Sequence, residues 1–360
     1  MTGTVIAILM LGFLVLVHEA GHFLVARWSG VRILRFSLGF GPKIFGWRRG
    51  ETEYCVSWIP LGGYVKMAGE QREEQTQQPW EYLSKPVGTR AKIVFAGPLV
   101  NYLTAILTLW AVFMIGYPEL LPVVGQVAND MPAEAAGIQI GDHIRAIDGR
   151  AIQTWEEMTS IIHQAPGLPL TFRVERQGVL QELRVVPKAK VITDPVGHTK
   201  RVGLIGVSPS GAFKAFRVGP LAAIRRTIHQ QNEWVVQTML ALWSLATGKI
   251  SMRETMTGPI GILYLTSEAV QLGVAPLLYL ASLFSLSLAL FNLFPIPILD
   301  GGHLFFLALE KLRGSPVSVN IQERAAQVSF VLLMTLVLVI CVNDVNRFGL
   351  VDKVLGWFKR

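Results

Sequence analysis

VIAILMLGFLVLVHEAGHFLVA, residues 5–26, decides how the rest of the chain is read. A helix needs ~20 residues to cross a hydrocarbon core of about 30 Å. The run from Val5 to Ala26 is long enough and is interrupted only by His18, Glu19 and His22. Residues four apart on a helix differ by about 40° in azimuth, so both imidazoles leave one face, one turn apart. That geometry suits two ligands of a single tetrahedral zinc at ~2.0–2.1 Å. Glu19, turned about 100° from His18, can reach a water at the metal without ligating it, the general-base position of an H-E-x-x-H motif. Each ionisable group placed in lipid costs a few kcal/mol, so three within one turn demand a function. The plainer alternative is a helix end that reaches the membrane interface.

Composition agrees with a chain whose solvent is partly lipid. Of 360 residues, 51% are hydrophobic and 16% charged, with a mean hydropathy of +0.43, against roughly 25% charged in an ordinary soluble domain. Two cysteines exclude a disulfide scaffold. The net charge of +8 sits beside apolar runs instead of forming an aromatic-interleaved patch, so no nucleic-acid partner is expected. Cys55 and Cys341 have no second cysteine or histidine at ligand spacing.

Three further segments approach spanning length: Ile93 to Tyr117, Pro276 to Leu299 and Ala325 to Val342. The first run lacks a leading charge and a small-x-small cleavage site, so it is expected to be a retained helix, not a signal peptide. Eleven basic residues from Arg27 to Lys92 lie between the first two spans, and none precedes Val5. The positive-inside rule therefore puts this loop in the cytoplasm. Residues 118–275 then face outward, and the 300–324 loop, with Lys311, Arg313 and Arg324, returns inside. Arg347, Lys353, Lys359 and Arg360 would sit outside, against the rule.

Two histidines leave a catalytic zinc one protein ligand short. The stretch from Asn292 to His303 offers the third: Asp300 ends a hydrophobic span, with Pro295 and Pro297 breaking the helix and Gly301 and Gly302 relaxing the backbone. His303 is a rival ligand. Both halves of the site fall in the cytoplasmic half of the membrane. Asn101, on the second span, would be an expensive lipid-facing amide; it can orient a zinc ligand or bond another helix, a supporting role. Gly97 beside it permits close helix approach.

His18-Glu19-Ala20-Gly21-His22 in one span, with Asn292 through Asp300 in a later one, resembles the site-2 protease family of intramembrane zinc metalloproteases. Phe95-Ala96-Gly97-Pro98-Leu99-Val100-Asn101 resembles the small-residue motif of that family's second core helix, and Gly258-Pro259-Ile260-Gly261 the stretch before its third. The resemblance covers nearly the whole chain. It is nearest to the bacterial members, of the regulator-of-sigma-E type, that cleave membrane-anchored anti-sigma factors. It implies Zn2+ bound by His18, His22 and Asp300, with Glu19 as the base. Asn292 would hold substrate backbone or the developing oxyanion. It also implies a single-pass transmembrane substrate and a bacterial cytoplasmic (inner) membrane location. A noncatalytic receptor or scaffold is the alternative, and metal transport a third reading weakened by the general-base position.

The expected fold is a polytopic α-helical membrane protein of about four transmembrane helices. Residues 1–117 form an N-terminal membrane core, with spans 5–26 and 93–117 flanking a β-hairpin region, 31–68. There Val31–Phe40 is strand-like, Gly39-Phe40-Gly41-Pro42 signals a turn and Glu53–Ile59 alternates polar with apolar. Leu61–Met67 can continue the sheet, whose edge can receive an unwound substrate strand. Residues 122–207 read as an inserted, extracytoplasmic α+β domain. Asp142 among glycines and a capping box at Thr154-Trp155-Glu156-Glu157 resemble a PDZ domain, which binds a peptide or chain terminus. Residues 215–270 read as amphipathic helices at the lipid surface, Pro220–Ala246 foremost. Residues 275–360 form the C-terminal core, with spans 276–299 and 325–342.

Overall fold

The computed structural model describes residues 2–193, 199–250 and 257–347. The expected segments at 194–198, 251–256 and 348–360, with Lys353, Lys359 and Arg360 of the tail, lie outside the described residues. The chain divides into two compact units: residues 1–112, 226–231 and 256–360, and residues 113–225 with 232–255.

The first unit opens on α1 (Thr2–Trp28), followed by β1 (Ile33–Arg49), β2 (Thr52–Met67) and α2 (Val87–Ile115). The expected turn at Gly39–Pro42 is a bend within β1, where Gly39 takes φ +92°. Bending lets residues 53–56 pair with both 35–38 and 45–48, while 63–67 pair with 33–38. A long hairpin thereby becomes a small folded sheet, and the far edge of 63–67 carries no strand among the described residues. Ala26, Val31, Ile33, Val65, Met67 and Ile93 bury a core under it.

The second unit carries β3 (Tyr117–Leu120), β4 (Val124–Val127), α3 (Pro132–Ala135), β5 (His143–Ile147), β6 (Arg150–Ala151) and α4 (Trp155–Gln164). Then come β7 (Leu170–Arg176), β8 (Val179–Val185), β9 (Lys188–Thr193), β10 (Thr199–Leu204), β11 (Val207–Pro209), β12 (Phe213–Phe216) and α5 (Pro220–Ala246), of which residues 226–231 are counted with the first unit. The main sheet runs β6-β5-β7-β8, and Phe172, Ile144, Ile147, Met158 and Val174 fill its core. Thr154 accepts the Glu157 amide while Glu157 accepts the Thr154 amide, a reciprocal cap that starts α4. Buried Asp142 accepts two bonds from Arg176, at 2.7 and 2.8 Å, closing the turn before β5.

Among the described residues, four helices complete the first unit: α6 (Pro259–Leu272), α7 (Val274–Asn292), α8 (Asp300–Arg313) and α9 (Val319–Arg347). Helices α1, α2, α7 and α9 are long and apolar enough to cross a membrane. Their bare apolar faces, such as Leu9 at 63% and Leu332 at 66% exposure, suit lipid, not water. The span expected over 276–299 is helical only to Asn292. Pro295 and Pro297 cannot donate to a continuing ladder, so Leu293–Leu299 is irregular. The region expected as loop after 300 contains α8, whose acidic first residue and basic Lys311 and Arg313 match the helix dipole. Serine hydroxyls seam α7 to α2: Ser282 Oγ donates to the Ala105 carbonyl at 2.7 Å and Ser285 Oγ to that of Asn101 at 2.8 Å. Asp344 of α9, fully buried, accepts the Gly258 and Gly261 amides and so caps α6.

Candidate metal centre

Two imidazoles on α1 and one carboxylate at the start of α8 converge. His18 Nε2 lies 3.0 Å and His22 Nε2 3.5 Å from Asp300 Oδ2, and the two Nε2 atoms are 3.1 Å apart. A tetrahedral ion with ligands at ~2.0–2.1 Å holds neighbouring donor atoms about 3.3–3.4 Å apart, so the triangle has the right size for zinc. His22 Nδ1 is 2.8 Å from the Ile93 carbonyl. A carbonyl only accepts, so Nδ1 carries the proton and Nε2 its lone pair, the tautomer a metal requires. Asp300 Oδ2 is buried and, among the described residues, faces no donor other than the two imidazoles, whose Nε2 atoms are lone-pair donors when both rings are protonated at Nδ1. Electron-rich atoms facing one another at this range are unfavourable unless a cation sits among them. The donor set fits zinc.

Backbone approach makes the triangle possible. A Cβ on Gly97 would fall 2.6 Å from His22 Cε1 and 2.8 Å from His18 Cε1, and one on Gly21 would fall 2.5 Å from the Ala96 carbonyl oxygen. The two helices therefore touch through their main chains where the imidazoles stand.

Glu19 is half-buried, outside the triangle, and lines a cavity of about 720 Å³ with His18, His22 and Asp300. The Val65 amide of β2 donates to its carboxylate, and a Cβ on Gly63 would lie 3.4 Å from Glu19 Cγ. Asn292 and His303 line the same cavity. Among the described residues the only group of three or more potential ligands is His18, His22 and Asp300, so the rival His303 stands apart. Asn101, wholly buried, sits with its amide 3.3 Å from His18 Nδ1. Tyr82, outside the spanning helices, also lines the cavity; burial pushes its phenol up, so it stays a donor. Sequence reasoning missed Ile93 and Val65 because they act through main-chain atoms, which leave no side-chain signature.

Compared with known proteins, residues 6–336 match the profile of peptidase family M50. The chain belongs to peptidase family M50. This M50 peptidase is 31% identical to the regulator of sigma-E protease RseP of Escherichia coli, over 94% of this chain and 97% of that protein. It is 29% identical to the zinc metalloprotease RasP of Geobacillus kaustophilus, over 95% and 97%. A Rhizobium meliloti protein, provisionally named a zinc metalloprotease, is 39% identical over 94% of both chains. A solved PDZ domain of an SdrC-like protein from Listeria monocytogenes aligns to 26% of this chain and 88% of its own at 24% identity, with a TM-score of 0.20. As an M50 peptidase the chain is a zinc metalloprotease, so the scaffold and transport readings give way.

Proposed function

We propose that this M50 peptidase hydrolyses peptide bonds within the transmembrane segments of single-pass membrane proteins, such as a membrane-anchored anti-sigma factor, in regulated intramembrane proteolysis. The observation that carries this is the triangle of His18, His22 and Asp300 donor atoms at 3.0–3.5 Å beside Glu19, on a helix of spanning length. His18, His22 and Asp300 hold the zinc. When bound, zinc supplies Lewis acidity that acidifies water and polarises the scissile carbonyl.

The chain's own groups do the rest. Glu19, aligned by the Val65 amide, takes the proton of the attacking water as the new C–O bond forms. It returns that proton to the amide nitrogen as the C–N bond breaks. Asn292, facing the same cavity, donates its side-chain amide to the developing oxyanion or to substrate backbone. Asn101 orients His18: with its Oδ1 turned to accept from Nδ1–H, His18 takes the tautomer His22 already has. That Oδ1 now has no partner, and an amide half-turn exchanges the two ends.

A substrate helix exposes no carbonyl until it is unwound. The unpartnered edge of 63–67, whose Val65 amide already touches Glu19, can pair with the opened strand. Basic residues between the first two spans support a cytoplasmic-side active site at a bacterial inner membrane. The same rule supports an extracytoplasmic position for residues 122–207, read as a PDZ-like domain that binds an extended peptide or chain terminus and gates substrates.

The test is cleavage of single-pass substrates by purified protein, with and without a zinc chelator. Glu19→Gln is expected to keep its zinc and lose about 10²–10⁴-fold in rate. Wild-type cleavage by that variant, or by the chelated enzyme, sinks the mechanism.

A further inference from the structure

One turn of α2 reaches both carriers of the candidate ligands. The Ile93 carbonyl receives the His22 Nδ1 proton at 2.8 Å. Three residues earlier, Arg90 extends its guanidinium to Glu310 of α8, Nη2 to Oε1 at 2.5 Å and Nη1 to Oε2 at 3.2 Å. The remaining Nε donates to the Lys85 carbonyl at 3.1 Å, so the fork cannot pivot freely. The side chains are only 10% and 16% exposed. A buried ion pair is a poor device for stability, because desolvation offsets most of its Coulomb energy. What a bidentate fork supplies is fixed distance and fixed rotation.

Helix α8 needs such a constraint. It follows the irregular Leu293–Leu299, whose two prolines uncouple it from α7. Leu307 is its one fully buried large side chain, so little of its own apolar surface fixes its rotation. Turning α8 by about 20° about its own axis would carry a carboxylate ~5–6 Å from that axis through about 2 Å, a whole zinc–ligand bond.

We propose that the Arg90–Glu310 pair is a positioning device for the zinc site: it registers α8 against the same turn of α2 that orients His22, so that Asp300 meets both histidines. This rests on His18, His22 and Asp300 being the zinc ligands. Neither Arg90 nor Glu310 belongs to the ligand group, although both line the cavity beside it.

The experiment measures the zinc Kd of the full-length protein in detergent by competition with a chromogenic chelator, with thermal melting in saturating zinc as the check on folding. The double variant Arg90→Met with Glu310→Leu keeps apolar packing without the fork. Its Kd is expected to rise about 10–100-fold, as when a partner of a metal ligand is removed. Reversing the pair, Arg90→Glu with Glu310→Arg, restores the ion pair and is expected to bind zinc about 10-fold tighter than the apolar double variant. An unchanged Kd in the folded apolar variant overturns the proposal. Should that variant fail to melt cooperatively, Glu310→Gln is measured instead, and an unchanged Kd there overturns it equally. Asp300→Ala is measured alongside. Full zinc affinity in Asp300→Ala refutes the ligand set itself, whereas its loss together with an unchanged apolar variant refutes only the positioning role.

Discussion

At Gly97 the geometry of the metal centre depends on an atom that is missing. Cβ atoms essentially never approach other heavy atoms closer than 3.0 Å, yet one at Gly97 would stand 2.8 Å from His18 Cε1 and nearer still to the His22 ring. The rings cannot yield cheaply, since His22 is bonded to Ile93 and His18 faces Asn101. Gly97→Ala is therefore expected to fold but to bind zinc at least about 10-fold more weakly, read by metal analysis of the purified protein. Wild-type zinc content would mean the helices can part without cost. At this scale much was legible: His18 and His22 share a face because of helical period alone, and Gly97 stands out as a small residue in an apolar span. What gave no signal was the Ile93 carbonyl, because every residue has one and only packing decides which is used.

Among the elements, β2 matters most to the chemistry. Its 63–67 segment lays the Val65 amide on Glu19 and leaves an edge open. Proline at position 65 removes that N–H and blocks strand addition. Val65→Pro is expected to cut cleavage by about 10²-fold or more while zinc content stays at one per chain. Full proteolysis by the variant would remove the edge from the mechanism. The alternation in Glu53–Ile59 announces strands, but the bend at Gly39 that brings 33–38 between 53–56 and 63–67 looks in sequence like a simple turn. Folding a hairpin on itself is settled by pairing between strands, not by the turn residues. Similarly Pro295 and Pro297 mark a break after α7, while the glycines behind Asp300 make the start of α8 read as a loop, although its later residues carry a helical pattern.

For the whole molecule, the inserted domain is where selectivity is expected to reside. Removing residues 122–207 should let the enzyme cleave substrates whose outer domain is still untrimmed, lowering its preference for trimmed ones by about 10-fold. Cleavage assays on matched trimmed and untrimmed substrates check this, and unchanged selectivity would make the domain a spacer. Length, apolar runs, proline breaks and the paired imidazoles act within a few residues, so the order of spans and the nature of the chemistry were already written in the linear chain. The closure of the site was not. Arg90 and Glu310 lie 220 residues apart, and Asp300 reaches His18 and His22 only after α1, α2 and α8 have packed. Which distant main-chain and side-chain groups meet depends on summed packing across the core, a quantity no local pattern contains.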